Sequence, residues 1–479
     1  MSGLRTIKNK FSSADAKYLI PVILFLIIEF FLTINTPFFW DALTKGWRAS
    51  WIYENNFSSL IVPGYMNSGH PPLWITSLAL TWKVLGKTLW ASRLLLLLVN
   101  IGVFYQLFRL VKSLFAENVP LFLFFFICLE PTLLAQTTNL NNDMLLMFFT
   151  LMACNALLRN KALLLTLALA GVLLTNLRGV YIFIAIALCH FILNKNNYIK
   201  NSKKLLSAYL IGGVLFSLFA LYQYSEIGWA IITKQTNYAP HREVATGQHI
   251  IRNVFAHIKF YLDFGRIFIV VPLLFLLWKY RKPTVKFNTA THKTFLMLLI
   301  FMIVLFFGIA PFSNPSGPRY MMVAYIFVMI LFVNLLYDKN MQTKIKKWLI
   351  PLACIALITG HFWIYPPKIA QAWDSSYAYL NYFPMEKKMR NYIDANNIPK
   401  NEVATYLSWN SEDFFNPSNN SEKFALPNKD LSKNKYIIVS NVENFMEEKT
   451  LDIIMDSWTL KQKFSQLGVF ISLYENTNY

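Results

Sequence analysis

Acidic residues are scarce in this chain of 479 residues: 25 Asp and Glu stand against 45 Lys and Arg, a formal net charge of +20. Charged residues of both signs make up only 15%, well short of what a soluble domain carries. Cysteine is nearly absent too. Cys128, Cys154, Cys189 and Cys354 all sit inside apolar segments, so they read as small core residues, and no disulfide is expected. No Cys/His pair has metal-ligand spacing, and His241, His249 and His257 recur every eight residues, which is not a zinc pattern. No cofactor is therefore required, although a divalent cation bridging a carboxylate and a phosphate is compatible with the sequence. The absence of a Gly-rich phosphate loop disfavours a nucleotide-powered transporter. No internal repeat is present. The first apolar run lacks a small-residue cleavage site, so it is expected to be a retained anchor rather than a signal peptide.

What is abundant is apolar sequence. Hydrophobic residues reach 55% with a mean hydropathy of +0.39, the composition of a multi-span helical membrane protein. Hydropathy and charge predict about 11 spans. They lie near 18–36, 88–111, 119–137, 141–158, 162–176, 179–194, 205–224, 264–280, 294–311, 319–337 and 347–364. Basic clusters such as Arg109/Lys112, Arg159/Lys161 and Lys195/Lys200/Lys203/Lys204 recur after every second span. This is the positive-inside pattern, so the charge reports topology and lipid contact, not nucleic-acid binding. It predicts a cytoplasmic N terminus and a non-cytoplasmic position for 37–87, 225–263 and the tail. The apolar stretch 72–86 is short and is read as surface-lying or re-entrant. Within 37–71, Ala42, Trp47, Trp51 and Ile52 set against Lys45, Arg48 and Glu54 predict an amphipathic interfacial helix.

After Pro366-Pro367 the chain becomes polar. Helices near 385–396 and 445–456 and strands near 402–407, 436–442 and 469–474 predict a small α/β domain; Asn410–Asn420 reads as an exposed loop. The expected fold is an all-α polytopic membrane domain over 1–365 followed by a small C-terminal α/β extracytoplasmic domain over 366–479.

Asp41 stands just past the first span, in Phe39-Trp40-Asp41, and is followed by Ala42. A carboxylate at the bilayer surface is costly unless used; the alternative is a helix cap. Asp143, in Asn142-Asp143-Met144-Leu145, opens a later span on the same side; it too could serve only the helix dipole. Arg178 and Arg319 lie at outer span ends, where guanidinium and helix N–H groups together suit a phosphate. The alternative for each is snorkelling to headgroups. Arg93 reads equally as packing. His70, in the rigid Gly69-His70-Pro71-Pro72 turn, either contacts substrate or fixes the loop. Lys234 and His249, in the outer loop 225–263, are candidates to add charge over the phosphate.

In the order and spacing of its motifs over residues 15–365, the chain resembles the membrane-embedded C-type (GT-C) glycosyltransferases. The nearest branch holds the protein O-mannosyltransferases and the lipid A aminoarabinose transferases. The motifs are Phe39-Trp40-Asp41, Gly69-His70-Pro71-Pro72-Leu73, Gly86-Lys87-Thr88-Leu89-Trp90-Ala91-Ser92-Arg93-Leu94, Asn142-Asp143 and Pro318-Arg319-Tyr320. The resemblance implies sugar transfer, with inversion, from a polyprenyl-phosphate or polyprenyl-diphosphate donor to a lipid, glycan or protein acceptor on the extracytoplasmic face of a bacterial inner membrane. It implies Asp41 as general base, Asp143 as an orienting acid, Arg178 and Arg319 on the donor phosphate, and His70 and Tyr320 near substrate. Many relatives carry Glu after the first acid; Ala42 replaces it here, and Glu54 lies too far along to substitute. The Trp-Trp-Asp motif of oligosaccharyl transferases and the β-trefoil insert of eukaryotic O-mannosyltransferases are absent. A flippase for a lipid-linked sugar is the competing expectation; it calls for mid-span charges or broken half-helices.

Overall fold

The computed structural model describes residues 13–479 except 201, 235–237, 280–286, 315, 339–342, 367–368, 370, 406–408, 410–422, 429, 443–446 and 478. The expected loop 410–420 and the basic residues Arg281, Lys282 and Lys286 lie outside that set, as do Arg5, Lys8 and Lys10.

The apolar runs form helices α1 (Ser13–Thr33), α4 (Leu89–Leu114), α7 (Asp143–Leu158), α8 (Ala162–Thr175), α9 (Gly179–Lys195), α10 (Lys203–Ile227), α12 (Ile267–Lys279), α13 (Thr289–Ile309), α14 (Met322–Leu336) and α15 (Thr343–Gly360). Among the described residues, five helices are long and apolar enough to cross a membrane, and α7, α8 and α9 are apolar but shorter. The protein is an integral membrane protein on this pattern. Helix α14 is apolar on every side and buried along its whole length, which places it at the centre of the bundle.

The apolar run 119–137, expected as one span, is instead broken into α5 (Phe124–Cys128) and α6 (Pro131–Thr137). Pro131 cannot extend the preceding helix, and the Glu130 carboxylate accepts the Leu133 N–H at 2.6 Å as a cap. Buried Glu130 is in turn paired with buried Arg266, which also donates to Thr132. Two further helices, α2 (Asp41–Glu54) and α3 (Leu73–Leu85), follow α1. Helix α11 (Gly247–Leu262) meets α12 at 95°. The corner uses Phe264 (φ 54°) and Gly265 (φ 82°). A Cβ on Gly265 would stand 2.0 Å from the Ala356 carbonyl oxygen, so this crossing of α15 needs glycine.

The bundle has two chemically distinct ends. Lys112 near the end of α4 pairs with Asp15 at the start of α1 at 2.7 Å, and Arg159 beyond α7 donates to the Arg109 carbonyl at 3.1 Å. Asp41 lies past the opposite end of α1 and Asp143 opens α7 at its opposite end, away from these basic clusters.

The C-terminal unit holds α16 (Tyr382–Ala395), α17 (Glu448–Ser457) and a sheet in the order β1-β2-β4-β3, with β1 (Val403–Ala404), β2 (Tyr436–Ser440), β3 (Thr459–Gln466) and β4 (Val469–Glu475). β1 pairs with β2 in parallel, and the other pairings are antiparallel. Sequence pattern missed β3, because its residues are mostly exposed and polar; only its hairpin with β4 makes it a strand. The segment before α16 does not hang free. Phe39 packs in one core with Trp373, Tyr379, Tyr382, Ile438 and Leu473.

Candidate active site

Helix α2 organises the site. Asp41, Lys45 and Arg48 are spaced i, i+4 and i+7, so they share one face. That polar face was expected to meet water, but it turns inward. Lys45 is 8% and Arg48 5% exposed, because the loop 60–72 and α3 close over them. Glu54, at the far end, is exposed and pairs with Lys87 at 2.6 Å.

Asp41 does not cap α2, whose N-cap is Trp40 without a side-chain cap bond. Its carboxylate instead receives a hydrogen bond from Arg319. Its side chain is 58% exposed, so it faces open space on one side and Arg319 on the other. Burial pushes its carboxyl up, but Arg319, Lys45 and Arg178 outweigh this and hold it below the usual range. Asp41 is thus ionised at neutral pH. Trp40, immediately before it, has φ 48° and ψ −121°, a conformation that costs a non-glycine residue about 1–3 kcal/mol and clusters at functional sites. The Phe39 ring, stacked at 4.8 Å on Trp40 and 4.9 Å on Tyr379, packs this turn in place.

Arg319 sits in the 3-10 turn Pro318–Met321 that leads into α14. Besides Asp41 it contacts Asp143 (Nε to Oδ2, 3.5 Å) and donates to Asp374. Arg178, at the N-cap of α9, donates to Asp143 at 2.5 Å and lies 3.8 Å over the Tyr320 ring. Three carboxylates and two guanidiniums form one cluster, and Asp143 and Asp374 within it are 1% and 4% exposed. Both arginines were expected to hold a phosphate, but here their donors are directed to carboxylates.

Other cations line a small adjoining pocket, walled by Lys45, Arg48, Ser68, His70, Asn142 and Gln223 among others. Arg48 donates to the Met66 carbonyl at 2.7 Å and to the Tyr238 hydroxyl at 2.9 Å. Lys45 forms no ion pair among the described residues, and burial together with Arg48 lowers its ammonium to about 7, against the pull of Asp41 and Asp143. Burial and the same cations drive His70 well below its ordinary value, so it is neutral, with Nδ1 accepting the Leu177 N–H at 3.5 Å. Lys234 and His249 are exposed and do not line this cavity. From the same loop, Arg242 donates to the Ser68 carbonyl at 3.4 Å. Arg93 serves packing: it is buried and donates to the carbonyls of Thr36 and Thr138, each at 2.6 Å.

The Gly69 turn supplies the cavity wall. Gly69 has φ 80°, and a Cβ there would stand 2.6 Å from the Ile231 carbonyl oxygen. Gly69→Ala is expected to cost about 1–3 kcal/mol of stability, read as a lower unfolding midpoint in detergent; an unchanged midpoint would show that the turn tolerates a side chain.

Sequence reading missed Lys45, Arg48, Arg242 and Asp374 as site residues. For the first two the i, i+4, i+7 spacing from Asp41 was the available signal. Nothing in the sequence pointed to Asp374, which lies 333 residues after Asp41 in the numbering (374 minus 41).

Residues 69–222 match the family model described as dolichyl-phosphate-mannose-protein mannosyltransferase. The fold is similar to that of ArnT from Cupriavidus metallidurans bound to undecaprenyl phosphate, with a TM-score of 0.53 at 10% identity, over 96% of this chain and 98% of that one. The apo state of ArnT from Cupriavidus metallidurans gives the same TM-score and coverage at 11% identity. No curated protein matches the sequence. Along nearly its entire length the chain thus has an ArnT-like GT-C fold, and its segment 69–222 is similar to the mannosyltransferase family.

Proposed function

We propose that this enzyme transfers a sugar from a polyprenyl-phosphate donor to a hydroxyl or amine acceptor, with Asp41 as general base and inversion at the anomeric carbon. The observation that carries this reading is the single inward face of α2, which sets an ionised, accessible carboxylate in line with two buried cations. Along a helix, positions 41 to 48 span about 10 Å, room for a sugar between base and phosphate. The acceptor loses its proton to Asp41 as its oxygen or nitrogen bonds to the anomeric carbon. The bond from that carbon to the phosphate oxygen breaks, and the electron pair leaves with the polyprenyl phosphate. Lys45 and Arg48 stabilise the charge that develops there. Asp143 holds Arg178 and Arg319 beside Asp41, so these arginines keep the base ionised and do not carry the phosphate themselves. The site end of the bundle lies opposite the basic clusters, which supports an extracytoplasmic, periplasmic reaction at a bacterial inner membrane. Lipid, glycan and protein acceptors all fit this chemistry.

The reading is tested by donor binding. Lys45→Met and Arg48→Met are each expected to weaken binding of a polyprenyl-phosphate sugar by roughly 1.5–3 kcal/mol. Because Lys45 sits near 7 in the free protein, an arriving phosphate raises it, and binding at pH 7–8 takes up a proton. Calorimetry in buffers of different ionisation heat measures that uptake; it should vanish in Lys45→Met. Undiminished affinity in both variants would move the phosphate out of this cavity.

A further inference from the structure

We propose that Asp374, from the segment that joins the bundle to the C-terminal unit, is a positioning residue of the transfer site: it holds Arg319 against Asp41. The inference rests on the transferase reading above and extends it to a part of the chain outside the bundle.

A guanidinium offers five N–H donors in a fixed plane. On Arg319 they meet carboxylates from three directions: Asp41 on α2, Asp143 on α7 and Asp374. Asp374 is almost wholly buried, and a buried carboxylate is retained only when it is paired. Its backbone is fixed as well. The Gln136 side-chain amide donates to the Asp374 carbonyl at 2.7 Å. The Tyr379 hydroxyl bonds Thr138 at 2.8 Å, and the Tyr377 hydroxyl donates to Glu29 at 2.5 Å. This short stretch therefore docks on α6 and the end of α1, and presents one carboxylate to the arginine that faces the base.

The same stretch acts on Asp41 by a second route. Tyr379 stacks on Phe39, which packs with the core of the C-terminal unit and stacks on Trp40. The strained Trp40 backbone directly precedes Asp41 at the start of α2. Ion pair and aromatic stack converge on one acid.

The groups that set the charge of Asp41 are Arg319, Lys45 and Arg178. Asp374 anchors the first of them in place while sharing its charge with Asp41. Removing its charge commits Arg319 more fully to Asp41, which makes that carboxylate a weaker base, and releases the guanidinium from its third anchor. Asp374→Asn should then lower kcat by roughly 10- to 100-fold, as a misplaced reacting group does, with donor KM unchanged. The acid limb of its pH–rate profile should move to lower pH. Tyr377→Phe, which removes a hydrogen bond of the same segment without touching Arg319 or the Phe39 stack, should keep the wild-type acid limb.

The purified full-length protein allows a second readout that needs no substrate. Asp374→Asn, Asp41→Asn and the double variant form a cycle in thermal midpoint. Shared dependence on Arg319 predicts that the double variant loses more than the sum of the singles. A wild-type acid limb and kcat in Asp374→Asn, or additive midpoints, would overturn the proposal. A non-additive cycle in a wild-type protein that transfers no sugar would support the link between Asp374 and Asp41 and overturn the transferase reading alone.

Discussion

Arg319→Ala is expected to be the most damaging single substitution in the molecule. It would leave Asp41, Asp143 and Asp374 facing one another without the guanidinium that contacts all three. Two of these carboxylates are buried, and removing one partner of a buried ion pair costs about 3–5 kcal/mol. The unfolding midpoint should fall steeply at neutral pH. The deficit should shrink as the pH is lowered, because protonation relieves carboxylates that no longer have a counter-charge. Lysine should rescue only part of the loss, since a single ammonium cannot address three acids from one plane. Equal midpoints for Arg319→Ala and wild type between pH 5 and 8 would contradict the clustered charges described here.

The second large effect concerns the base itself. Asp41→Asn preserves size and polarity but cannot accept a proton. Its carboxylate is the most exposed of the three and the one open to an acceptor. Transfer should fall by at least about 100-fold, while Lys45 and Arg48 continue to bind the donor. The wild-type acid limb should lie below the usual carboxylate range, because Arg319, Lys45 and Arg178 together prevail over burial. A limb above that range would mean that a different group takes the proton.

Much of the architecture could be read before any coordinates. Apart from 119–137, the apolar runs become helices within about five residues of their expected ends, and Asp41, Asp143, Arg178 and Arg319 come together although three different helices and a turn carry them. Their shared location at span ends on one side was sufficient, since each such end is forced to the same surface. The assignment of roles was harder. Arg178 and Arg319 read as phosphate ligands because a guanidinium suits phosphate and carboxylate equally; only geometry reveals that carboxylates engage them. Lys45 and Arg48 read as a solvated face because hydropathy periodicity reports that a helix has two sides, not which side meets water. The break at Glu130-Pro131 was hidden inside an apolar run, and Arg266, which pairs with the buried Glu130 there, lies far along the chain. Asp374 was out of reach for the same reason: its importance comes from a contact between the two parts of the chain.

The central claim is that Asp41 deprotonates the acceptor while the donor phosphate rests on Lys45 and Arg48. Its most direct test is a single-turnover reaction of the reconstituted protein with a polyprenyl-phosphate sugar labelled in the sugar, following wild type and Asp41→Asn together. Wild type should release free polyprenyl phosphate and a glycoside of inverted configuration, while Asp41→Asn should bind the labelled donor with wild-type affinity and leave it intact. Wild-type turnover by Asp41→Asn, or retention of configuration in the product, would contradict that claim.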